Sequence, residues 1–273
     1  MKLALIQMVS SHLLADNLIQ VDQFLQIAAR QNAELAVLPE YFCLMGRHDA
    51  DKLLIAEDFG VGPMQSFLAE RARALGLWVV AGTLPLTSQA KDRVFNSSLV
   101  FSPQGECIAR YDKIHLFRFD NGTEFYDEAL VLQRGDQPVH FDLPSLDGHT
   151  WRIGLSVCYD LRFPELYRTY AKQGADLLLV PSAFTHTTGQ AHWEVLLRAR
   201  AIENLAFVAA AAQGGEHSNG RRTWGQSMAV DPWGDVLAQR ATGPGVVSVE
   251  LLPEGLLQRR SQLPALQHRV LGW

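Results

Sequence analysis

Three side chains in this sequence stand where a buried element is expected to end, and together they could carry out acyl transfer. Cys158 closes the run Ile153-Gly154-Leu155-Ser156-Val157, Glu40 follows Leu35-Ala36-Val37-Leu38-Pro39, and Lys113 follows Ala109-Arg110-Tyr111-Asp112. A thiolate can attack a carbonyl carbon, a carboxylate can shuttle the proton, and a fixed ammonium with a backbone N–H can hold the oxyanion. Each residue also has a plainer reading: Cys158 as a small core residue, Glu40 as a solvated loop carboxylate, Lys113 as a surface cation at a hairpin exit. Charged residues at strand ends along one sheet edge converge on the ligand crevice, so the combination outweighs the three separate readings. Beyond Cys158, the positions Phe163, Leu166, Tyr167 and Tyr170 recur at helix spacing, and Pro164 suits a first turn. A strand–cysteine–helix arrangement is therefore expected, with the thiol at a helix N-terminus and its pKa lowered.

The elements that must position these groups alternate along the chain. Strands are expected at 2–8, 35–38 and 77–82, with helices at 16–30, N-capped by Asp16, and at 63–75, stopped by Gly76. A hairpin spans 96–110 around Pro103-Gln104-Gly105. The second half runs strand 153–157, helix 163–172, strand 176–181, helix 192–204 and strand 206–212, then a hairpin around Pro232-Trp233-Gly234. Strands that are apolar throughout, rather than alternating, belong to a sheet covered by helices. Ser98, Pro103, Gly105 and Ala109 have the same mutual spacing as Ser227, Pro232, Gly234 and Ala238. The expectation is an α/β fold of two pseudo-repeated halves whose sheets stack into a four-layer α-β-β-α sandwich. No linker or low-complexity stretch divides the chain, so residues 1–273 are read as one domain.

Composition removes several function classes. The net charge of -5, without a Lys- or Arg-rich run, argues against nucleic acid or an anionic membrane as partner. Cys43, Cys107 and Cys158 are far apart and form no CxxC pair, which argues against a disulfide framework or zinc ribbon and for a reducing, cytoplasmic compartment. Residues 1–11 read as a strand rather than a signal peptide, and no apolar run has the length to cross a bilayer. His186, His192 and His217 lack the spacing of a metal site, so no metal is expected. No GxGxxG follows the first strand, which speaks against a dinucleotide cofactor.

The same three residues carry a resemblance. LPEYF at 38–42, YDKIHLF at 111–117 and GLSVCYDLRFPELYR at 154–168 resemble the three blocks of the nitrilase, or carbon–nitrogen hydrolase, superfamily. Residues 181–204, 224–238 and 263–268 are similar to further blocks, and the last of these look most like the branch of small amidases that hydrolyse deaminated glutathione. The resemblance implies Cys158 as nucleophile, Glu40 as general base and then acid, and Lys113 with the backbone N–H of Tyr159 as oxyanion partners. It also implies a second glutamate seven residues before a glycine: Glu128 before Gly135 fits, and Glu124 competes.

The activity implied is hydrolysis of a small carboxylate-bearing amide, deaminated glutathione favoured, to acid and ammonia through a Cys158 thioester, with no organic cofactor or metal. Arg162, at a helix start four residues beyond Cys158, can present a bidentate fork to a substrate carboxylate, its plainer role being an ion pair. Phe184 and Thr188 are implied as pocket residues, their plainer roles a core aromatic and a turn hydroxyl. Cys43 is read as a packed thiol. Glu194 and Arg198 are spaced for an ion pair, with Arg200 and Glu203 adding further charge, the plainer reading being a solvated helix face. In the family this helix pairs across a dimer, so a homodimer or larger homo-oligomer is expected. The alternatives are an ω-amidase or an N-carbamoyl hydrolase of the same superfamily and, in another class, an idle scaffold or interaction protein.

Overall fold

The computed structural model describes residues 1–271. Its layering follows from the first strand, Lys2–Gln7. Successive side chains of a strand leave opposite faces, and Leu3 and Leu5 enter one apolar core while Ala4 and Ile6 enter another. The first core lies between two sheets, because it also holds Ile153, Leu155, Leu177 and Leu179. The second holds Val21 and Leu25 from the helix Leu14–Arg30, with Met64 and Leu68 from the helix Pro63–Leu75. On the other face of the second sheet, Gly154 backs so closely onto Tyr170 of the helix Pro164–Lys172 that a Cβ would lie 2.8 Å from the ring. The helix His186–Asn204 buries Trp193 and Leu197. The order is helix, sheet, sheet, helix, the sandwich expected from the sequence.

The two halves repeat in register as well as in topology. In the first sheet Lys2–Gln7, Leu35–Val37 and Trp78–Val80 are parallel neighbours, flanked by antiparallel Gly245–Glu250 and Val94–Phe101. In the second, Thr150–Leu155, Leu177–Leu179 and Phe207–Ala210 are parallel, flanked by antiparallel His140–Pro144 and Ser227–Val230. Leu99 faces Arg110 and Val100 faces Ala109; at the same spacing, Met228 faces Gln239 and Ala229 faces Ala238. Both hairpins then shift register at the matching step, Val100/Phe101 and Ala229/Val230. The equal spacing of the two Pro-x-Gly turns reflects this shared register.

Several boundaries differ from the sequence reading. The first helix starts at Leu14 with Leu13 as N-cap, which puts Asp16 in its first turn, where a carboxylate favours the positive end of the helix dipole. The helix expected at 192 begins at His186, because the Thr185 side chain caps it by accepting from the Thr188 N–H. The helix expected from 163 is preceded by a separate 3-10 turn over Cys158–Arg162, with extended Phe163 between them.

The parallel strands direct their C-terminal ends to one edge, where the backbone is tightly fitted. Gly82 has φ +47, and a Cβ there would meet the Pro39 carbonyl oxygen at 2.0 Å, one residue before Glu40. Gly82→Ala combines a left-handed backbone with a rigid overlap. It is expected to cost about 2–4 kcal/mol in urea unfolding, and an unfolding midpoint matching the wild type would refute this.

Candidate active site

At this edge the structure buries a complete cation. Lys113 is fully enclosed at the end of Cys107–Asp112, and its Nζ donates to Glu40 Oε1 at 2.9 Å and to Glu128 Oε1 and Oε2 at 2.9 and 2.7 Å. Glu40, 1% exposed, also accepts from Asn96 Nδ2 through Oε1 and from the Ala183 N–H through Oε2, both at 2.9 Å. Glu128 further accepts from the Tyr41 hydroxyl at 2.8 Å and the Phe117 N–H at 2.7 Å. Burial alone would discharge the ammonium, but the two carboxylates outweigh it and raise the Lys113 pKa. Glu128 is likewise held below the usual carboxylate range by Lys113, against the opposing effect of its own burial. The plainer readings of Glu40 and Lys113 as surface charges are excluded. Of the two candidate second glutamates, Glu128 meets Lys113, whereas Glu124 accepts from the Thr187 hydroxyl at 2.9 Å.

Cys158 opens the 3-10 turn with φ +51, a left-handed conformation that few non-glycine residues adopt and that concentrates at functional sites. Asp160 holds this turn to the lysine segment. Its fully buried carboxylate accepts from the Val157 N–H at 2.8 Å, the Tyr111 hydroxyl at 2.7 Å and the His115 N–H at 3.0 Å, and it lies 2.7 Å from His115 Nδ1. The thiol departs from the sequence expectation. Its pKa is raised, first by burial and then by the neighbouring Glu40 carboxylate, with Lys113 opposing. The α-helix begins only at Pro164, six residues on, so no helix N-terminus stabilises a thiolate. Burial and the Glu40 carboxylate thus favour the neutral thiol at Cys158.

A cleft of about 280 Å³ brings Cys158, Tyr159, Glu40 and Glu128 together with Arg162, Phe184 and Thr188. The Arg162 guanidinium lies over the rings of Tyr159 and Phe184 at 5.7 and 5.4 Å, and its Nη1 is 3.3 Å from His192 Nδ1. Among the described residues it has no carboxylate partner, so its plainer role as an ion pair is not realised. Phe184 packs on Trp193 at 4.8 Å between centroids, and the Thr188 hydroxyl is 2.8 Å from that of Thr185, so both combine a structural contact with a place in the cleft wall. Cys43 is buried and pushed up to about 12 by desolvation, as a packed thiol should be. Arg200 is not on a solvated face; it is buried and donates to the Leu161 carbonyl at 3.0 Å. His217 bridges the Ser10 carbonyl and the Thr223 hydroxyl at 2.9 and 2.8 Å, and among the described residues no group of three His, Cys, Asp or Glu could hold a metal.

Sequence reasoning missed Tyr41, Asn96, Asp160 and Arg221. Asp160, a carboxylate two residues beyond Cys158 at the end of a buried run, offered the one usable signal. Arg221 lines the cleft from a loop remote in sequence and had none.

Comparisons with known proteins bear on this geometry. The family model for carbon–nitrogen hydrolases matches residues 2–259. A deaminated glutathione amidase from Synechocystis sp. is 40% identical over 270 residues, spanning 98% of this chain and 97% of that one. A human omega-amidase is 35% identical over 269 residues, spanning 98% and 94%. Among solved structures, the C. elegans NitFhit protein superposes with a TM-score of 0.89 at 35% identity; 98% of this chain is covered, and it spans only 65% of NitFhit. On the matched family model and these near full-length relatives, the chain belongs to the carbon–nitrogen hydrolase family.

Proposed function

We propose that this protein is an amidase in which Cys158 is the nucleophile, Glu40 the proton shuttle and Lys113 the oxyanion partner, aided by the Tyr159 N–H. The observation that carries the reading is the buried Lys113 ammonium, clamped by Glu40 and Glu128 beside a thiol in an open cleft. Because the resting thiol is neutral, attack requires Glu40 to take the Sγ proton as the S–C bond forms. The tetrahedral oxyanion draws on Lys113, the amine departs with the proton returned by Glu40, and a thioester remains. Glu40 then deprotonates water, which attacks the thioester carbon and releases the acid and the free thiol. Glu128 acts through Lys113, aiming and charging it. A scaffold would have no physical use for such a desolvated charge cluster.

Two named relatives bear on the substrate, a deaminated glutathione amidase and an omega-amidase. Deaminated glutathione is favoured, with Arg162 receiving the carboxylate of its keto-acid part. The scissile bond of that compound is a secondary amide, so the amine released is cysteinylglycine; the ammonia expected from sequence is the product only of a primary amide such as α-ketoglutaramate. The acid, 2-oxoglutarate, is common to both and is the product to measure. A homodimer is proposed on the helix His186–Asn204, which exposes Val195 and Ile202. A cytoplasmic location is proposed from the free thiols Cys43, Cys107 and Cys158. No helix among the described residues is long and apolar enough to cross a membrane.

Cys158→Ala should lower 2-oxoglutarate release from deaminated glutathione by more than about 10⁴-fold; retained turnover would reject the mechanism. Glu128→Gln, which leaves Lys113 one charged partner, should lower kcat by about 10- to 100-fold with little change in KM. An effect on KM alone would instead make Glu128 a substrate-binding group. Since the folded thiol pKa is raised, thiolate absorbance in wild type minus Cys158→Ala should be negligible at neutral pH and grow only under alkaline conditions. A thiolate signal already complete at neutral pH would contradict the base-coupled attack.

A further inference from the structure

The catalytic cleft adjoins a second groove, and one residue lines both. Arg221 lines the cleft with Cys158 and Arg162, and it also lines a groove of about 820 Å³ with Met45, Arg47, Lys52 and Tyr126. Its loop is pinned: Asn219 donates to the Gly46 carbonyl at 2.6 Å and accepts from the Arg221 N–H at 2.9 Å. The guanidinium rests on the Tyr126 ring at 5.1 Å, with Nη1 4.0 Å from Met45 Sδ, a weak acceptor. Its Nε is sealed from solvent without a hydrogen-bond partner, and among the described residues no carboxylate forms a salt bridge with it. Buried donors are seldom left in this state, because the lost hydration is not recovered. Within the groove Asp49 is taken by Lys52 at 3.2 Å, and Arg47 has the ring of His12 at 3.0 Å. Arg47, Lys52 and Arg221 against Asp49 leave the groove positive.

We propose that Arg221 and this groove form an amine-side subsite for an anion, so that preferred substrates are amides with a carboxylate on both the acyl and the leaving-amine side. The inference rests on the amidase reading, with Arg162 receiving the acyl-side carboxylate. A substrate whose carbonyl lies at Cys158 then offers Arg221 only its other end, and the guanidinium charge matches a carboxylate there. The groove's Tyr126 and Met45 provide an apolar wall for the atoms between.

The test compares kcat/KM for deaminated glutathione, which has the distal carboxylate, with that for α-ketoglutaramate, which lacks it. Arg221→Ala should lower the ratio of the two by about 10- to 100-fold, and Arg221→Lys by less. With wild type, converting the distal carboxylate of deaminated glutathione to a carboxamide should lower kcat/KM by a similar factor, a readout that does not depend on a variant folding. In Arg221→Ala that substrate change should matter little. An unchanged ratio in Arg221→Ala, or a carboxamide cleaved as fast as the carboxylate, would overturn the subsite while wild-type turnover of α-ketoglutaramate left the amidase reading standing. Wild type that cleaves neither compound would overturn both.

Discussion

A desolvated ammonium is the constraint on which the rest of this structure depends. Lys113 is wholly buried, and an unpaired charge in that position would be too costly to keep. It survives because two carboxylates contact Nζ at 2.7–2.9 Å and are themselves held by Asn96, Tyr41 and the N–H groups of Ala183 and Phe117. Every member of the cluster is hydrogen-bonded, which is the condition under which a buried polar network is tolerated. One cation against two carboxylates leaves an excess of negative charge beside Cys158. Burial first, and then that excess, favour the protonated thiol.

The fold meets this constraint from two directions. Glu40 and Lys113 come from the first half, Cys158 and the Ala183 N–H from the second. Since the halves are duplicates packed sheet to sheet, their parallel strands end at a common edge without any long insertion. Small devices lock the join. Asp160 ties the Cys158 turn to residues on either side of Lys113, and Gln213 Nε2 donates to the Glu40 carbonyl at 3.1 Å. Tyr41, next to Glu40, and Cys158 both hold left-handed backbones at φ +57 and +51. Such conformations persist only where the surroundings over-determine them.

Around the acidic centre lies a basic rim. Arg162 and Arg221 each line the cleft without a carboxylate partner among the described residues, stacked on aromatic rings that keep their forks in place. Acid within and base at the mouth is an arrangement suited to an anionic substrate whose neutral amide must enter. The rim attracts and orients the ends, and the carboxylates meet only the uncharged bond.

The sequence alone determined the layer order and the repeat, and it singled out Glu40, Lys113 and Cys158, which the structure brings together at one edge. Apolar strands at regular intervals admit few alternatives to a covered sheet; Glu40 and Cys158 each stand just past such a run, and Lys113 just past the hairpin strand Cys107–Asp112, where topology leaves little choice of direction. Repeated turn spacing was legible because register propagates rigidly along a hairpin. The tertiary structure decided what depends on distances between remote segments. It selected Glu128 over Glu124, gave Arg200 a buried carbonyl to hold, and brought Arg221 to the cleft from a loop with no motif. It also reversed the expected thiol chemistry. Local spacing pointed to a helix N-terminus beside Cys158, but desolvation and the proximity of Glu40 are sums over the folded environment, and they dominate there.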